Sequence, residues 1–292
     1  MKRFVLFFAV LISAELFAAM GLKGKFDWSA DGVKQLVPAV RYVKLECQSP
    51  RIMKIVAVRV DLTDKKLRFQ MTPRAKDWGN PMPGFEKRYV IRTERKTCRR
   101  FLEEYVAKGE NMVLCVNGTP WSPWQDPWNH PYADNQGLLI DNGVLVSPSR
   151  NRPGLIIKKD GSADFATLKK NADISHIRHA ISGFSTVLAK GVVVDKRDTR
   201  YAPRTGYGLS ADRKTLYILV VDGRQPLYSM GMSTQELGEF LLYLGASDGL
   251  NMDGGGSTTL IIRDEKGVQK LNHYIGGRER TIGGSMGLIY DK

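Results

Sequence analysis

The chain has 292 residues, of which 42% are hydrophobic and 25% are charged, and its formal net charge is +14. This size and composition are typical of a soluble globular protein with a substantial core, built as one large domain or two small ones. The three cysteines allow at most one disulfide bond, and their spacing excludes a cysteine metal site.

The N-terminal segment has the pattern of a secretion signal. Lys2 and Arg3 precede the apolar run FVLFFAVLISA, which is too short to span a membrane, and small residues follow it. We predict that residues 1–21 are a signal peptide and that the mature protein is exported, to the periplasm or the medium, without stable membrane insertion. The alternative is an uncleaved anchor or a buried helix.

The high positive charge predicts polyanionic partners, which include nucleic acid, phosphate-containing glycans and anionic lipid surfaces. Because export favours surface polymers, we predict a sugar-phosphate or phosphate-containing glycan as the partner and no nucleic acid. The alternative is that the lysines and arginines form a solvated face without a partner.

We predict that residues 22–110 form a β-rich region that belongs to the same fold as residues 111–292. The alternating stretch 54–62 predicts a half-buried strand, which we expect to pair with a second strand over 67–72. Apolar residues at helical spacing predict a helix over 93–108, with Thr93 as the candidate N-cap.

A long loop follows the short strand predicted over 111–116. It holds four prolines and the tryptophans Trp121, Trp124 and Trp128. Long loops in compact domains are usually functional, and exposed indole faces suit sugar rings. The alternative is a loop whose tryptophans bury one another.

The rest of the chain consists mostly of predicted β-hairpins. One helix is predicted over 233–246, where Ser233 and Glu236 form a capping box and Gly245 ends the helix. Hairpins outnumber helices, so we predict an α+β fold with a mainly antiparallel or mixed β-sheet and flanking helices. The hairpins are predicted over 138–146, 155–165, 185–195, 208–222 and 260–271, and a final strand over 282–290.

Three strands end in glycine-bearing turns, NGT at 117–119, DGR at 222–224 and NMDGGGS at 251–257. If the strands are neighbours, these ends converge at one rim of the sheet. Glycine lets a ligand approach the backbone, and successive free N–H groups bind anions. We therefore predict a concavity beside Asp253, lined by amides and by hydroxyl groups.

Two acids and three arginines are the candidates for chemistry at that rim. Asp222 and Asp253 are a candidate pair of carboxylates, and Arg204, Arg224 and Arg280 are candidate phosphate-binding groups, since a guanidinium matches phosphate oxygens. A divalent cation at the two aspartates would need further ligands, so we predict no cofactor and no metal. The sequence also has no P-loop, no dinucleotide-binding glycine motif, no GxSxG and no zinc-type histidine spacing.

The stretch VVDGRQPLYSMGMSTQELGEFLLYLGASDGLNMDGGGS, with VLCVNGTPW upstream and RERTIGGSMGLI downstream, resembles the phosphodiester glycosidase family from about residue 110 to the C-terminus. The resemblance implies an α/β domain with its site at strand ends. It implies a hydrolase that cleaves the bond between a sugar and a phosphodiester, of the GlcNAc-1-phosphodiester type. The loop over 119–136 is longer than the family pattern leads us to expect.

The resemblance also implies which residues form the site. Asp253 would be the nucleophile or base and Asp222 its partner. The substrate-binding residues would be Asn117, Gly118, Arg204, Thr205, Gly223, Arg224, Gly254, Gly255, Gly256, Ser257 and Arg280. Two other functions stay open: a non-catalytic module that binds anionic cell-surface glycans, and a metal-dependent phosphodiesterase that cleaves the P–O bond.

Overall fold

The structure, a computed structural model, describes residues 24–124, 130–195 and 198–291. The predicted signal peptide and Trp128 lie outside these residues. None of the described helices is long and apolar enough to cross a membrane.

Short strands dominate the described chain. They are β1 (Lys34–Val37), β2 (Val40–Cys47), β3 (Met53–Asp61), β4 (Leu67–Met71), β5 (Thr93–Glu94), β6 (Met112–Asn117), β7 (Trp121–Ser122), β8 (Tyr132–Asn135), β9 (Leu139–Asp141), β10 (Val144–Ser147), β11 (Pro153–Lys158), β12 (Ala163–Thr167), β13 (Ile177–Ser182), β14 (Ser185–Ala189), β15 (Val192–Val193), β16 (Arg204–Leu209), β17 (Thr215–Val221), β18 (Asp248–Asn251), β19 (Leu260–Asp264), β20 (Gly267–Lys270) and β21 (Ser285–Tyr290). The helices are α1 (Cys98–Ala107) and α2 (Thr234–Leu244).

The strands form four sheets, and every pairing between described strands is antiparallel. The largest sheet has the order β1-β2-β3-β17-β16-β18-β14-β15, which we call the large sheet. A second has the order β20-β19-β6-β21-β4, which we call the β6 sheet. The other two have the orders β10-β9-β13-β11-β12 and β5-β8-β7. The predicted α+β fold with mainly antiparallel sheets is therefore confirmed.

The core lies between the layers of this sandwich. Alternate residues of β17 point to opposite faces, so Ile218 and Val220 pack toward the β6 sheet while Leu219 and Val221 pack toward α2. On the far side of the β6 sheet, Phe101 of α1 joins Cys115 in a separate apolar cluster. The order is thus helix, large sheet, β6 sheet, helix.

The two helices begin where side chains cap them. Ser233 and Glu236 form the predicted capping box of α2, and Gly245 ends it in the left-handed conformation. For α1 the predicted N-cap Thr93 is wrong, because Thr93 lies in β5 and the cap is Thr97, whose side chain accepts a hydrogen bond from Arg100 N–H. Lys96 lies between Thr93 and Thr97, and its ammonium group forms an ion pair with Glu104 of α1.

The predicted hairpins are all present, as β9–β10, β11–β12, β14–β15, β16–β17 and β19–β20. The predicted pairing of 54–62 with 67–72 is wrong. β3 pairs with β2 and β17, whereas β4 pairs with β21 in the other sheet. Strands from both sides of residue 110 thus share sheets. All three cysteines are buried and free, so no disulfide forms.

Candidate functional site

The site forms where strand ends of the two main sheets meet. In the large sheet, the start of β16 lies beside the ends of β17 and β18, because Arg204 is opposite Val221 and Gly206 is opposite Asn251. In the β6 sheet, the end of β6 lies beside the start of β21, because Asn117 is opposite Ser285. Antiparallel registers therefore bring the glycine-bearing strand ends together, as predicted from the sequence.

Asn117, at the end of β6, forms hydrogen bonds that join the strand ends of the two sheets behind the site. Its side-chain amide donates to the main-chain oxygen of Asp253 at 2.6 Å, and its side-chain oxygen accepts from the Thr205 hydroxyl at 2.7 Å and from Thr259 N–H at 3.0 Å. Asp253 N–H donates to the carbonyl oxygen of Gly118 at 2.8 Å. Asn117 and Thr205 are buried, so they position the site and do not face its ligand.

Asp253 is partly buried at the floor of the site. Burial raises the pKa of its carboxyl group to about 6, although hydrogen bonds from the Ser257 hydroxyl and from Gly254 N–H, and the positive charges of Arg280 and Arg152, oppose the rise. The carboxylate is therefore ionised at neutral pH, yet it is basic enough to accept a proton.

The glycine loop, residues 254–257, does not form the predicted nest of free amides. Gly254 N–H donates to the Asp253 carboxylate, Gly255 N–H to Pro203 O, and Ser257 N–H to Gly254 O. Only the Ser257 bond belongs to the single 3₁₀ turn of residues 255–257, whereas Gly254 and Gly255 donate to the Asp253 side chain and to the segment before β16. The amides of Gly254 and Gly255 are thus occupied by protein acceptors, which corrects the prediction that they bind the substrate's phosphate.

The glycines instead make room for two guanidinium groups. A Cβ atom on Gly256 would lie 2.5 Å from Cζ of Arg280, and one on Gly255 would lie 3.1 Å from Nη1 of Arg224. Gly255 also has a φ of +60°, which L side chains rarely adopt. Burial lowers the pKa of Arg280, and the nearby Arg224 adds to this effect while Asp253 opposes it.

Arg204 lies in the cavity wall, but its guanidinium is already engaged. Nε donates to Met232 O at 3.0 Å, and Nη2 donates to the Asp198 carboxylate and to Arg200 O, each at 3.0 Å. The hydrogen bonds from Arg200 and Arg204 hold the pKa of Asp198 well below its usual range. Arg204 therefore fixes the cavity wall through Nε and Nη2, and phosphate binding by this side chain stays a prediction.

Asp222 lies behind the cavity. Its carboxylate accepts hydrogen bonds from His273 N–H at 3.0 Å and from the Asn272 amide at 3.2 Å. Neither Asp222 nor its neighbour Gly223 is among the described residues that line the cavity. The predicted carboxylate pair is thus corrected, since Asp222 holds the 272–273 segment and Asp253 faces the cavity without it.

The cavity has a volume of about 900 Å³, which suits a ligand larger than one sugar phosphate. The sequence did not indicate Arg152, Asp195 and Asp198, because they lie outside glycine-bearing strand ends and only the fold brings them together. Phe184 was also missed, although it follows Gly183 at the end of β13. The described lining residues are Pro120, Trp121, Ser122, Trp124, Gln136, Arg152, Phe184, Ser185, Asp195, Asp198, Arg200, Ala202, Pro203, Arg204, Arg224, Thr234, Asn251, Met252, Asp253, Gly254, Gly255, Gly256, Ser257 and Arg280.

The two described tryptophans of the long loop differ in their surroundings. Trp121 is buried in the cluster behind the β6 sheet, with the Arg95 guanidinium 4.3 Å from the centre of its ring. Trp124 is 53% exposed and lines the cavity. The two described tryptophans do not bury one another: the Trp121 indole packs against the core, and a ligand can reach that of Trp124. Among the described residues, no three His, Cys, Asp or Glu side chains cluster as metal ligands.

Comparison with known proteins identifies related sequences and folds. The sequence profile of the phosphodiester glycosidases matches residues 110–289. No curated protein sequence matches the chain.

Three solved structures share the fold. The catalytic domain of zebrafish N-acetylglucosamine-1-phosphodiester alpha-N-acetylglucosaminidase, auto-inhibited by its pro-peptide, has a TM-score of 0.59 at 18% identity, over 92% of this chain and 86% of that one. A hypothetical protein from Synechocystis has a TM-score of 0.64 at 11% identity, over 89% of this chain and 64% of that one. A protein from Burkholderia pseudomallei has a TM-score of 0.57 at 13% identity, over 82% of this chain and 74% of that one.

Proposed function

Because the chain belongs to the phosphodiester glycosidase family, we propose that it hydrolyses the bond between the anomeric carbon of a sugar and a phosphodiester, with a GlcNAc-1-phosphodiester as the model substrate. The observation that carries this proposal is the arrangement at the glycine loop. A carboxylate of raised pKa, Asp253, lies on one side, and the guanidinium groups of Arg224 and Arg280 lie against the loop itself.

The arginines bind the phosphate. Cβ atoms added to Gly255 and Gly256 would meet the Arg224 and Arg280 guanidinium groups, so both groups lie beside the loop that follows Asp253. A phosphodiester placed on the guanidinium groups has its ester oxygens near Asp253. Arginine forks match phosphate oxygens and neutralise the charge that grows on the leaving group.

Asp253 acts as the general base. It accepts a proton from water while the water oxygen bonds to the anomeric carbon, and the C–O bond breaks with its electron pair leaving on a phosphate monoester. This leaving group is stable as an anion, so the reaction needs no strong general acid. The cavity is consistent with a reaction that has no general acid. Asp253 lines the cavity as the base, and the carboxylate of Asp198 is already paired with two arginines.

The bond that breaks is tested by hydrolysis in ¹⁸O-labelled water. We expect the label in the sugar, because water attacks the anomeric carbon. Label in the phosphate would show P–O cleavage and replace the proposal with a phosphodiesterase. Saturable, salt-sensitive glycan binding without turnover would replace it with a binding module.

The anomer formed first tests the role of Asp253. A general base gives a product of inverted configuration, which proton NMR detects before mutarotation. A product of retained configuration would assign Asp253 as a nucleophile that forms a glycosyl-enzyme intermediate.

We also propose that the protein is exported after cleavage near residue 21, and that residues 22–110 and 111–292 form one catalytic unit. The first rests on the basic and apolar pattern of residues 1–21 and the second on the strand pairs β3–β17 and β4–β21. N-terminal sequencing of the mature protein tests export, and an intact Met1 would contradict it. Expression of residues 111–292 alone tests the second, and a folded, active product would contradict it.

A further inference from the structure

Exposed large apolar side chains concentrate around the mouth of the cavity. Among the described residues, nine large apolar side chains are exposed, and all but Val144 and Val192 belong to chain segments that line the cavity or adjoin its lining residues. Val192 follows Gly191, whose N–H donates to Ser247 O at the end of β18 remote from Asn251. We call the other seven the apolar rim: Trp124, Phe184, Val194, Tyr201, Leu227, Tyr228 and Met230.

The segments of the rim reach the cavity in four ways. Trp124 and Phe184 line it directly. Tyr201 lies between Arg200 and Ala202, which both line it, and Val194 directly precedes the lining residue Asp195. The remaining three are on the loop that follows Arg224.

That loop is held rigidly with its apolar tip pointing away from the protein. Arg224 N–H donates to Met230 O at 3.2 Å, Ser229 N–H to Gln225 O at 2.9 Å, and the Ser229 hydroxyl to Asp222 O at 2.6 Å. Leu227 at the tip is 93% exposed and has a φ of +68°. Leucine rarely adopts this conformation, so the fixed loop keeps an unfavourable backbone geometry where a leucine faces solvent.

Cations lie over the aromatic rings of the rim. The Arg51 guanidinium is 3.6 Å from the ring centre of Tyr201, the Lys54 ammonium is 5.6 Å from that of Tyr228, and the Arg152 guanidinium is 5.0 Å from that of Phe184. The Arg200 side chain is 84% exposed next to Tyr201. The chain as a whole carries +14. Arg51, Lys54 and Arg200 also pair with carboxylates, those of Glu236, Glu46 and Asp198 respectively. The attraction to anionic headgroups therefore comes mainly from the net positive charge of the whole chain.

We propose that the apolar rim docks on an anionic phospholipid surface and holds the cavity against the headgroup layer. Apolar side chains that enter the interface, with basic side chains that attract anionic headgroups, are the pattern by which peripheral proteins bind membranes. A second copy of the chain fits less well, because a twofold interface would bring together two chains that each carry a net charge of +14. Docking brings the cavity to phosphodiesters at the bilayer surface and goes beyond hydrolysis of a soluble substrate.

The test compares Leu227→Asn with Val144→Asn in sedimentation with vesicles. Asparagine tolerates a positive φ, and Leu227 makes little contact with the core, so the variant should fold. Val144 is 47% exposed and lies outside the rim, which makes Val144→Asn the matched control. We expect the wild type to bind vesicles of phosphatidylglycerol and phosphatidylcholine far better than phosphatidylcholine alone, and binding to weaken with salt. Leu227→Asn should weaken binding about tenfold, and Val144→Asn should leave it unchanged.

Three results would overturn the proposal. One is binding of Leu227→Asn equal to that of the wild type, and another is no preference of the wild type for anionic vesicles. The third is a dimer, seen by light scattering, that Leu227→Asn dissociates while vesicle binding is absent.

Hydrolysis of a soluble GlcNAc-1-phosphodiester is measured on the same proteins, and we expect Leu227→Asn to leave it unchanged. A fall in its kcat/KM would place Leu227 in the substrate site and overturn membrane docking. Vesicle binding that depends on Leu227 in a protein without turnover would support docking and reject only the proposed reaction.

Discussion

The side-chain amide of Asn117 donates a 2.6 Å hydrogen bond to the main-chain oxygen of Asp253 and so joins the β6 sheet to the loop that follows the large sheet. Asn117 and Asp253 are 136 residues apart in the chain. The bond fixes the backbone of the candidate base, and the Asp253 carboxylate stays directed into the cavity because that backbone is fixed from behind.

Replacing Asn117 tests this link. Asn117→Ala leaves the Thr205 hydroxyl, Thr259 N–H and Asp253 O without their partner, and a buried polar group left unpaired costs about 1–3 kcal/mol. We expect the free energy of unfolding to fall by at least this amount in urea titrations, and kcat to fall with it. Thr205→Val, which removes one of the three bonds, should have a smaller effect on both. Equal stability of Asn117→Ala and the wild type would show that the link does not hold the site.

The close approach of Arg280 to Gly256 predicts a coupled pair of substitutions. Gly256→Ala would place a methyl group against the guanidinium, so Arg280 must move and phosphate binding should weaken. We expect kcat/KM to fall about tenfold, which corresponds to about 1.4 kcal/mol. In the Arg280→Ala background the same glycine change should cost almost nothing, because the displaced group is already absent. Additive losses in the double variant would contradict the proposed contact.

Arg204 and Arg224 should respond differently to replacement by alanine. Arg204→Ala removes a buried side chain that bonds Met232 O and is one of the two cations of the partly exposed Asp198, so the main expected effect is a lower melting temperature. Arg224 is exposed at the cavity, so Arg224→Ala should raise KM about tenfold with little change in melting temperature. Thermal unfolding and steady-state kinetics on both variants check this division, and the reverse pattern would identify Arg204 as the phosphate clamp.

The raised pKa of Asp253 predicts opposite effects of pH on activity and stability. Activity needs the ionised base, so kcat/KM should fall about tenfold per pH unit below about pH 6. The folded state binds the proton more tightly than the unfolded state, so this group favours folding fully below about pH 4, and that contribution is lost as pH rises through about 6.

Asp253→Asn should therefore unfold less readily than the wild type at pH 7, and the difference should shrink toward pH 4. Urea titrations at both pH values measure it. Asp31→Asn, at an exposed turn before β1, is the control and should show no such trend. A wild type that is more stable than Asp253→Asn at pH 7 would contradict the raised pKa.

The two described tryptophans of the long loop give a further contrast. Trp121→Ala removes a buried indole, and such changes cost about 3–5 kcal/mol of stability. Trp124→Ala removes an exposed indole from the cavity wall, so it should raise KM and leave unfolding nearly unchanged. Equal stability losses for both would show that Trp124 also packs into the core.

Local patterns in the sequence predicted local structure well. The Asn142-Gly143 turn and the capping box of α2 depend on residues a few positions apart, and both are present. Pairing over long distances is not encoded in such patterns. β4 pairs with β21 at the far end of the chain, and alternation along 67–72 does not distinguish that partner from β3.

The site was predicted in part for the same reason. Glycine-bearing strand ends indicated Asp253 and Arg224, because consecutive glycines after an apolar strand can be recognised in the sequence alone. Arg280 was indicated instead by the stretch GGRERTIGG and by the family resemblance. The sequence did not show that the loop uses its own amides, or that Asp198 neutralises Arg204. These depend on which groups the fold places opposite one another. Arg152 lies 101 positions from Asp253, and no local motif marks it.

The central claim is that the Asp253 carboxylate acts on a phosphodiester held by arginines. The most direct measurement is kcat of Asp253→Asn on a GlcNAc-1-phosphodiester at pH 7, with circular dichroism to show that the variant is folded and Asp31→Asn as the control. We predict that kcat falls at least about a hundredfold, the usual contribution of a general base, while the control is unchanged. Turnover close to that of the wild type by folded Asp253→Asn would contradict the claim.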